Sequence, residues 1–89
     1  MNARLVILAF LAGRAPGAYT EKAILQRVNA SGLLDTHVPS IERELSELSS
    51  DRMGGLVNCD IDKITKVAFW YATDAGINRW ERDGRPHVA

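Results

Sequence analysis

Apolar residues occupy every position of one segment near the start of the chain. Residues 5–12 read Leu-Val-Ile-Leu-Ala-Phe-Leu-Ala, without a polar side chain. A surface helix shows an apolar stripe and a polar face, so a helix that is apolar all round is buried on more than one side. We predict a buried first helix over residues 3–12, which Gly13 ends and Pro16 follows.

The next segment predicts a second helix with one apolar face. Thr20 is a helix-capping residue type, and the apolar residues Ile24, Leu25 and Val28 follow it at helical spacing up to residue 30. Gly32 supplies the left-handed conformation that commonly follows a helix. The connection to the next apolar pattern covers residues 31–38, which is longer than the roughly three- or four-residue turn of a compact helix-turn-helix.

A third helix is predicted to start near Pro39 and to stop at Gly54-Gly55. Its buried stripe consists of apolar residues that recur every three or four positions: Val38, Ile41, Leu45 and Leu48. Pro39 suits the first turn, because proline has no N–H to leave unsatisfied there. At about 100° per residue, the opposite face is centred on Pro39, Arg43, Ser46 and Ser50.

Strand-forming residues replace the helical spacing after residue 55. Residues 56–61 and 66–72 are rich in Val, Ile and aromatic side chains around an Asp62-Lys63 turn, which predicts a β-hairpin. The second strand alternates between two apolar faces: Val67, Phe69 and Tyr71 on one, Ala68, Trp70 and Ala72 on the other. One face packs on the helices. If the other carries Phe69 and Tyr71, these either cover the last helix or form an exposed patch.

A short last helix and a tail complete the predicted domain. Thr73 and Asp74 are suited to begin the helix, which runs through Ile77 and Trp80. We expect a single domain over residues 1–83 and a frayed tail over residues 84–89.

Two stretches resemble the winged helix-turn-helix family, whose order of elements is also helix, helix, helix, hairpin, helix. Residues 38–48, Val-Pro-Ser-Ile-Glu-Arg-Glu-Leu-Ser-Glu-Leu, lead to Gly-Leu-Val at 55–57 and resemble a recognition helix that enters a wing. Residues 70–76, Trp-Tyr-Ala-Thr-Asp-Ala-Gly, are similar to the Tyr-x-Leu-Thr-Asp-x-Gly exit of bacterial regulators of the MarR, PadR and ArsR types. The chain also resembles small winged-helix proteins of Mu-like bacteriophages.

This resemblance implies a mainly α, α+β fold of three helices, a β-hairpin wing and a short C-terminal helix. It also implies a DNA-binding transcriptional regulator, usually a homodimer, with the third helix in the major groove of double-stranded DNA and the wing on the backbone. In the family's register, Trp70 and Ala72 lie on the inner face of the sheet. The long connection before the third helix departs from the family pattern.

The balance of charged residues favours a second interpretation of the function. Eleven Lys and Arg balance eleven Asp and Glu, whereas proteins dedicated to nucleic acids tend to be basic. Residues 41–60 contain two arginines and five acids, a net charge of −3. The alternative is therefore a winged-helix protein-interaction module with a protein partner and little or no DNA binding.

The candidate DNA-binding residues lie on three predicted elements. Arg43 has the side chain for reading a guanine edge, unless it merely pairs with Glu47 one turn further on. Hydroxyl groups suited to bases or phosphates accompany it on Ser40, Ser46 and Ser50. The resemblance implies that Lys63 and Lys66 beside the wing turn contact phosphate or the minor groove, unless they belong to a solvated hairpin tip. It also implies added phosphate contacts from Lys22 and Arg27 of the second helix, unless these are simply solvated. Asp60 and Asp62 neutralise the wing lysines locally.

The apolar first helix predicts a homodimer, because any face turned away from the domain core exposes large apolar side chains to water. The candidate interface residues are Leu5, Leu8, Phe10, Leu11 and Trp80. The alternative is a monomer, in which the hairpin and the last helix wrap the first helix completely.

Catalysis, metals and membranes find no support in the sequence. His37 and His87 are far apart, and no nucleophile, metal-ligand spacing or phosphate loop accompanies them, so we expect a non-enzyme without metal or cofactor. The single cysteine, Cys59, fits a small strand hydrophobe in a reducing cytoplasm. The apolar run of residues 5–12 is too short for a bilayer, which needs about 20 residues.

Overall fold

A computed structural model describes residues 2–88 of the chain; residues 1 and 89 of the predicted domain and tail lie outside them. The elements are α1 (Ala3–Gly13), β1 (Tyr19–Thr20), α2 (Glu21–Ala30), α3 (Glu42–Ser49), a 3-10 turn (Asp51–Met53), β2 (Val57–Ile61), β3 (Ala68–Ala72) and α4 (Asp74–Arg82). Four helices and a three-stranded antiparallel sheet thus form a small, compact α+β domain, as the predicted fold class requires at this level.

Helix α1 is buried by its own chain. All seven residues from Val6 to Ala12 are at most 5% exposed. The helix contacts α2, α3, β3 and α4, which together surround it. The expectation that one face of α1 needs a partner subunit is therefore corrected, because the rest of the domain already covers it.

The predicted hairpin is present, with a longer loop than expected. The strands β2 and β3 pair from Val57 opposite Ala72 to Ile61 opposite Ala68. The connection spans residues 62–67, because Asp62 folds the chain around its own carboxylate, which accepts hydrogen bonds from the backbone N–H groups of Ile64 and Thr65. The predicted end of the first strand at Ile61 is therefore confirmed, whereas the second strand begins at Ala68, two residues later than predicted.

A short strand adds a third member to this sheet. Residues Tyr19 and Thr20 of β1 pair with Trp70 and Phe69, which gives the order β1-β3-β2 and leaves β2 at an edge. We predicted a turn and a helix cap here and missed the strand, since two residues carry no alternation. Thr20 nevertheless caps α2 as predicted, its hydroxyl accepting from the Ala23 N–H at 3.2 Å.

The free edge of β2 carries a local hydrogen bond. The N–H groups of Thr73 and Asp62 bond to Leu56 and Val67 across the hairpin, so even-numbered residues of β2 point their backbone groups at β3. The N–H of Cys59 therefore points outward. It donates to the side-chain oxygen of Asn58 at 2.8 Å.

Helix α3 is shorter than predicted at both ends. Three of the four residues of its predicted buried stripe, Ile41, Leu45 and Leu48, are at most 2% exposed, whereas Val38 is half-buried and lies in the loop before the helix. The helix begins at Glu42, since Asn29 holds both the N–H and the carbonyl of Val38 at 2.9 Å and keeps that segment in the preceding loop. The chain leaves the helix at Ser49 for a 3-10 turn, and only then reaches Gly54-Gly55.

The predicted fraying of residues 84–89 is not what the structure shows for residues 84–88. Val88 is 1% exposed, and its carbonyl accepts from the Arg14 guanidinium at 2.9 Å. The indole N–H of Trp80 donates a hydrogen bond to the backbone carbonyl of Pro86 at 2.9 Å. The segment packs because a buried valine and these two donors hold it against α1 and α4.

No helix within residues 2–88 is both long and apolar enough to cross a lipid bilayer. The longest apolar helix, α1, has 11 residues, about half of what a span requires.

Candidate nucleic-acid interface

The outer face of α3 presents the side chains that the helical phase assigned to it. Burial of Ile41, Leu45 and Leu48 against the core turns Arg43 and Ser46 to the exterior, where both are exposed. Among residues 2–88, neither side chain makes a hydrogen bond or an ion pair with the protein. A guanidinium and a hydroxyl group about one turn apart are therefore available to a ligand.

The other two serines are less available. Ser40 lies in the loop before α3, where its hydroxyl accepts from the Glu42 N–H at 3.3 Å. Ser50 is half-buried, and its hydroxyl donates to the Glu47 carbonyl at 2.6 Å. Both hydroxyl groups thus form hydrogen bonds with the backbone at the two ends of α3. Ser50 directly follows the last residue of the helix.

Glu47 pairs with Arg52 rather than with Arg43. The Arg52 guanidinium donates to the Glu47 carboxylate at 2.6 Å. This hydrogen bond, and next the Arg52 charge itself, holds the pKa of Glu47 below its ordinary value, while Arg4 and Arg43 contribute from further away. The Glu47 carboxylate is therefore occupied, and the alternative in which Arg43 merely pairs with Glu47 is not what the structure shows.

The hairpin loop holds both wing lysines at the surface. Lys63 and Lys66 are exposed, and Lys66 adopts a left-handed backbone with φ of 65°. Backbone N–H groups of Thr65 and then Ile64 lower the pKa of the Asp62 carboxyl by hydrogen bonding to its charged form. This carboxylate is thus turned toward the loop backbone rather than toward the lysines.

A cleft joins the base of the hairpin to the starts of α2 and α3. It measures ≈ 470 Å³ and is lined by Thr20, Glu21, Lys22, Glu42, Val67, Ala68 and Trp70. The structure therefore brings Lys22 to the same depression as the first residue of α3. Arg27 is exposed near the end of α2 but does not line this cleft, and neither do the two wing lysines.

The hairpin also exposes apolar residues that sequence reasoning missed. Ile64 is 91% exposed, Ile61 61% and Val67 40%. The sequence pattern places Ile61 and Val67 in paired strands because of their β-branched side chains. The available signal was an isoleucine between two lysines directly after a turn, a position where polar residues are usual.

The candidate dimer residues separate into two groups. Leu8, Phe10 and Leu11 are at most 3% exposed within the single chain and have almost no surface to offer. Leu5 and Trp80 are half-buried and line a pocket of ≈ 200 Å³ beside the Arg79–Asp83 ion pair. Only this second group has surface that another molecule can contact.

No protein-family model matches the chain, and comparisons with curated proteins and with solved structures give no match. Among the described residues, no group of three or more His, Cys, Asp or Glu side chains is arranged to hold a metal ion. Fold and surface together define a small α+β domain that offers basic and hydroxyl side chains on one helix and one hairpin.

Proposed function

We propose that this protein is a small DNA-binding transcriptional regulator of the winged-helix class. The helix α3 lies in the major groove, and the β2–β3 hairpin lies on the sugar-phosphate backbone. The order of the elements supports this proposal, since three helices precede the hairpin and α4 follows it. The sequence resemblance at residues 38–48 and 70–76 supports it independently.

The observation that carries the proposal is the availability of Arg43. Its guanidinium is exposed on the outer face of α3, while Arg52 occupies the neighbouring Glu47 at 2.6 Å. An arginine in this position can donate two hydrogen bonds to O6 and N7 of a guanine. Ser46, nearly one turn further along, reaches a neighbouring base or phosphate from the same face.

Phosphate contacts come from the exposed lysines around this helix. Lys22 borders the cleft beside the start of α3, and Lys63 and Lys66 extend from the hairpin. Each contact releases counterions from DNA and adds to the salt dependence of binding. Glu42, exposed in the same cleft as Lys22, repels the backbone and limits affinity.

A DNA titration at two salt concentrations tests the proposal. A duplex is first selected from a random pool with the full chain, and affinity is then measured for the protein, for Arg43→Ala and for the control Arg82→Ala. Arg82 is exposed in the last turn of α4 and makes no ion pair among the described residues. We expect Arg43→Ala to cost roughly 1–3 kcal/mol of binding free energy and to relax one base preference, with the control unchanged.

Absence of selected DNA, or affinity without salt dependence, contradicts the proposal. Equal loss in Arg43→Ala and Arg82→Ala contradicts the assignment of Arg43 to base reading. In that case only general charge attraction remains.

A protein-interaction module is the second candidate, favoured by the acidic character of α3. Glu42 is exposed and Glu44 half-exposed on this helix, and both repel phosphate. The sheet adds half-buried Phe69 and Tyr71, neither of which belongs to the core. Salt-independent binding to a protein partner, together with failure of DNA selection, favours this candidate.

A further inference from the structure

The segment that follows α4 turns back across the groove between α1 and α4. We call Pro86, His87 and Val88 the strap, and Gly84 and Arg85 the hinge. Val88 is 1% exposed, although it lies in neither a helix nor a strand. The strap therefore fills a groove of the domain with one buried side chain at the end of a short irregular segment.

Two side-chain donors hold the strap by its backbone carbonyls. The indole N–H of Trp80 donates to the Pro86 carbonyl at 2.9 Å, and the Arg14 guanidinium donates to the Val88 carbonyl at 2.9 Å. The Arg14 guanidinium is itself positioned 4.2 Å from the centre of the Phe10 ring. Both donors belong to helices of the domain, so they bind a strap equally well whichever copy of the chain supplies it.

The hinge holds two consecutive residues in the left-handed conformation. Gly84 has φ of 91° and Arg85 has φ of 53°. A residue with a Cβ is strained there, because the Cβ crowds the following carbonyl oxygen. The ion pair of Arg85 with Glu81, at 2.6 Å between exposed side chains, offsets little of this strain. Short hinges under strain favour the exchange of a segment between copies.

The groove of the strap continues into the pocket that the predicted homodimer uses. One cavity, of ≈ 200 Å³, borders Leu5, and the other, of ≈ 350 Å³, borders Gly13. Ala9, Trp80 and Pro86 line both cavities, so the strap divides one groove into two. A two-fold interface uses the same patch on both copies. A second copy seated at Leu5 and Trp80 therefore brings its own strap beside this groove.

We propose that two copies of this chain exchange straps through the strained hinge, so that Val88 of each copy fills the α1–α4 groove of the other. This inference goes beyond DNA binding and deepens the predicted homodimer, because each copy completes the groove of its partner. The contacts of the strap are the same in both forms, and the open hinge releases the strain of Arg85. The closed form competes at an effective concentration on the order of millimolar, so the exchanged fraction rises with protein concentration.

Isotope labels distinguish exchange from ordinary association. A ¹⁵N-labelled chain and a ¹³C-labelled chain are unfolded in urea, mixed and refolded at micromolar to millimolar concentration. NMR then selects contacts between a ¹⁵N-bound proton and a ¹³C-bound proton, which arise only between two chains. We expect a cross-peak from the Trp80 indole proton to Pro86 protons, since these groups are joined by the 2.9 Å hydrogen bond.

A hinge variant with a matched control tests the role of strain. Gly84 and Gly32 both have left-handed backbones, with φ of 91° and 75°, and a Cβ at either position meets nothing within 4 Å among the described residues. Alanine therefore adds similar conformational strain at both positions, but only Gly84 belongs to the hinge. We expect Gly84→Ala to raise the dimer association constant roughly tenfold or more and Gly32→Ala to leave it unchanged.

The remaining outcomes overturn the exchange. A dimer that lacks the Trp80–Pro86 cross-peak does so, and it leaves the homodimer at Leu5 and Trp80 standing. Equal association constants for Gly84→Ala and Gly32→Ala show that the hinge does not drive exchange. A mass of one chain at every concentration, in Gly84→Ala as well, assigns the strap to its own chain and removes the homodimer too. Each of these results leaves the proposed DNA binding to its own test.

Discussion

At the scale of single residues, Glu42 most directly opposes the proposed contact with DNA. It is the first residue of α3, is exposed and borders the cleft that also holds Lys22. A carboxylate at a helix start stabilises the helix by about 0.3–1 kcal/mol through the helix dipole. It therefore aids α3 while it repels phosphate, and these two effects can be separated by substitution.

We predict that Glu42→Gln binds DNA more tightly than the unaltered chain, because one repulsive charge leaves the interface. Asp74→Asn is a matched control, since Asp74 is likewise the exposed first residue of a helix, α4. Both variants lose a similar helix-dipole interaction, so a gain in affinity confined to Glu42→Gln isolates the phosphate effect. The measurement is a titration of each variant against the selected duplex. Weaker binding by Glu42→Gln contradicts the prediction and means that this carboxylate reads a base or positions α3.

At the scale of elements, α4 is placed by the glycine in its first turn. Gly76 is buried, and a Cβ at this position overlaps the carbonyl oxygen of Leu56 just before β2. Thr73 connects the same elements, because its hydroxyl donates to Gly55 at 2.6 Å and caps α4 by accepting from the Gly76 N–H at 3.2 Å. The Thr-Asp-x-Gly sequence is thus explained by the packing of a helix start on a strand start.

We predict that Gly76→Ala destabilises the domain despite the better helix propensity of alanine. The propensity gain is about 1 kcal/mol, whereas separating α4 from the Leu56 backbone costs on the order of 1–3 kcal/mol or more. Gly13→Ala is the control. Gly13 is the last residue of α1, and a Cβ there lies 3.6 Å from the Trp80 ring, which is an ordinary van der Waals distance. Urea unfolding is expected to show a loss for Gly76→Ala and no loss for Gly13→Ala; an unchanged midpoint for Gly76→Ala contradicts this packing.

Elements with a periodic apolar face were predictable, and those made by distant contacts were not. Burial of Ile41, Leu45 and Leu48 follows from residue spacing and the Thr20 cap from residue type, and the structure confirms both. The strand β1 exists only because Trp70 and Phe69 pair with it, and two residues carry no pattern of their own. The burial of Val88 depends in the same way on Arg14, which is 74 positions away.

The candidate interface likewise contains some features that the residue spacing predicts and others that depend on the folded structure. Exposure of Arg43 and Ser46 follows from the phase of α3, which three buried residues fix. The pairing of Glu47 with Arg52 depends on the turn that follows the helix, and nothing in the spacing of Glu47 and Arg43 excludes their own pair. The exposed Ile64 arises from the folding of the loop around Asp62, which the sequence pattern alone did not reveal.

At the scale of the whole molecule, the predicted homodimer now depends on a small surface. With α1 enclosed by its own chain, Leu5 and Trp80 beside the pocket of ≈ 200 Å³ are the members of the candidate set with accessible area. We predict that Leu5→Glu converts a dimer to a monomer, because a charge at this position resists burial in an interface. Phe69→Ser, on β3 and not in the lining of this pocket, is expected to leave the dimer intact.

Light scattering at micromolar concentration measures the mass of the particle in solution and therefore its oligomeric state. A mass of two chains that falls to one in Leu5→Glu supports the assignment. A mass of one chain for the unaltered protein removes the dimer and leaves each α3 to meet DNA alone, in which case selected sites carry no two-fold repeat.

The hydrogen bond at Asn58 bears on how copies of this chain behave when concentrated. An edge strand offers open N–H and carbonyl groups to any other strand, and such edges seed aggregation. With eleven charges of each sign, the chain has no net repulsion to keep copies apart. The Asn58 side chain closes the outward N–H of Cys59, in the middle of β2, against a foreign strand. One backbone donor in the middle of the exposed sheet edge is thus already paired within the chain and is not open to a second copy.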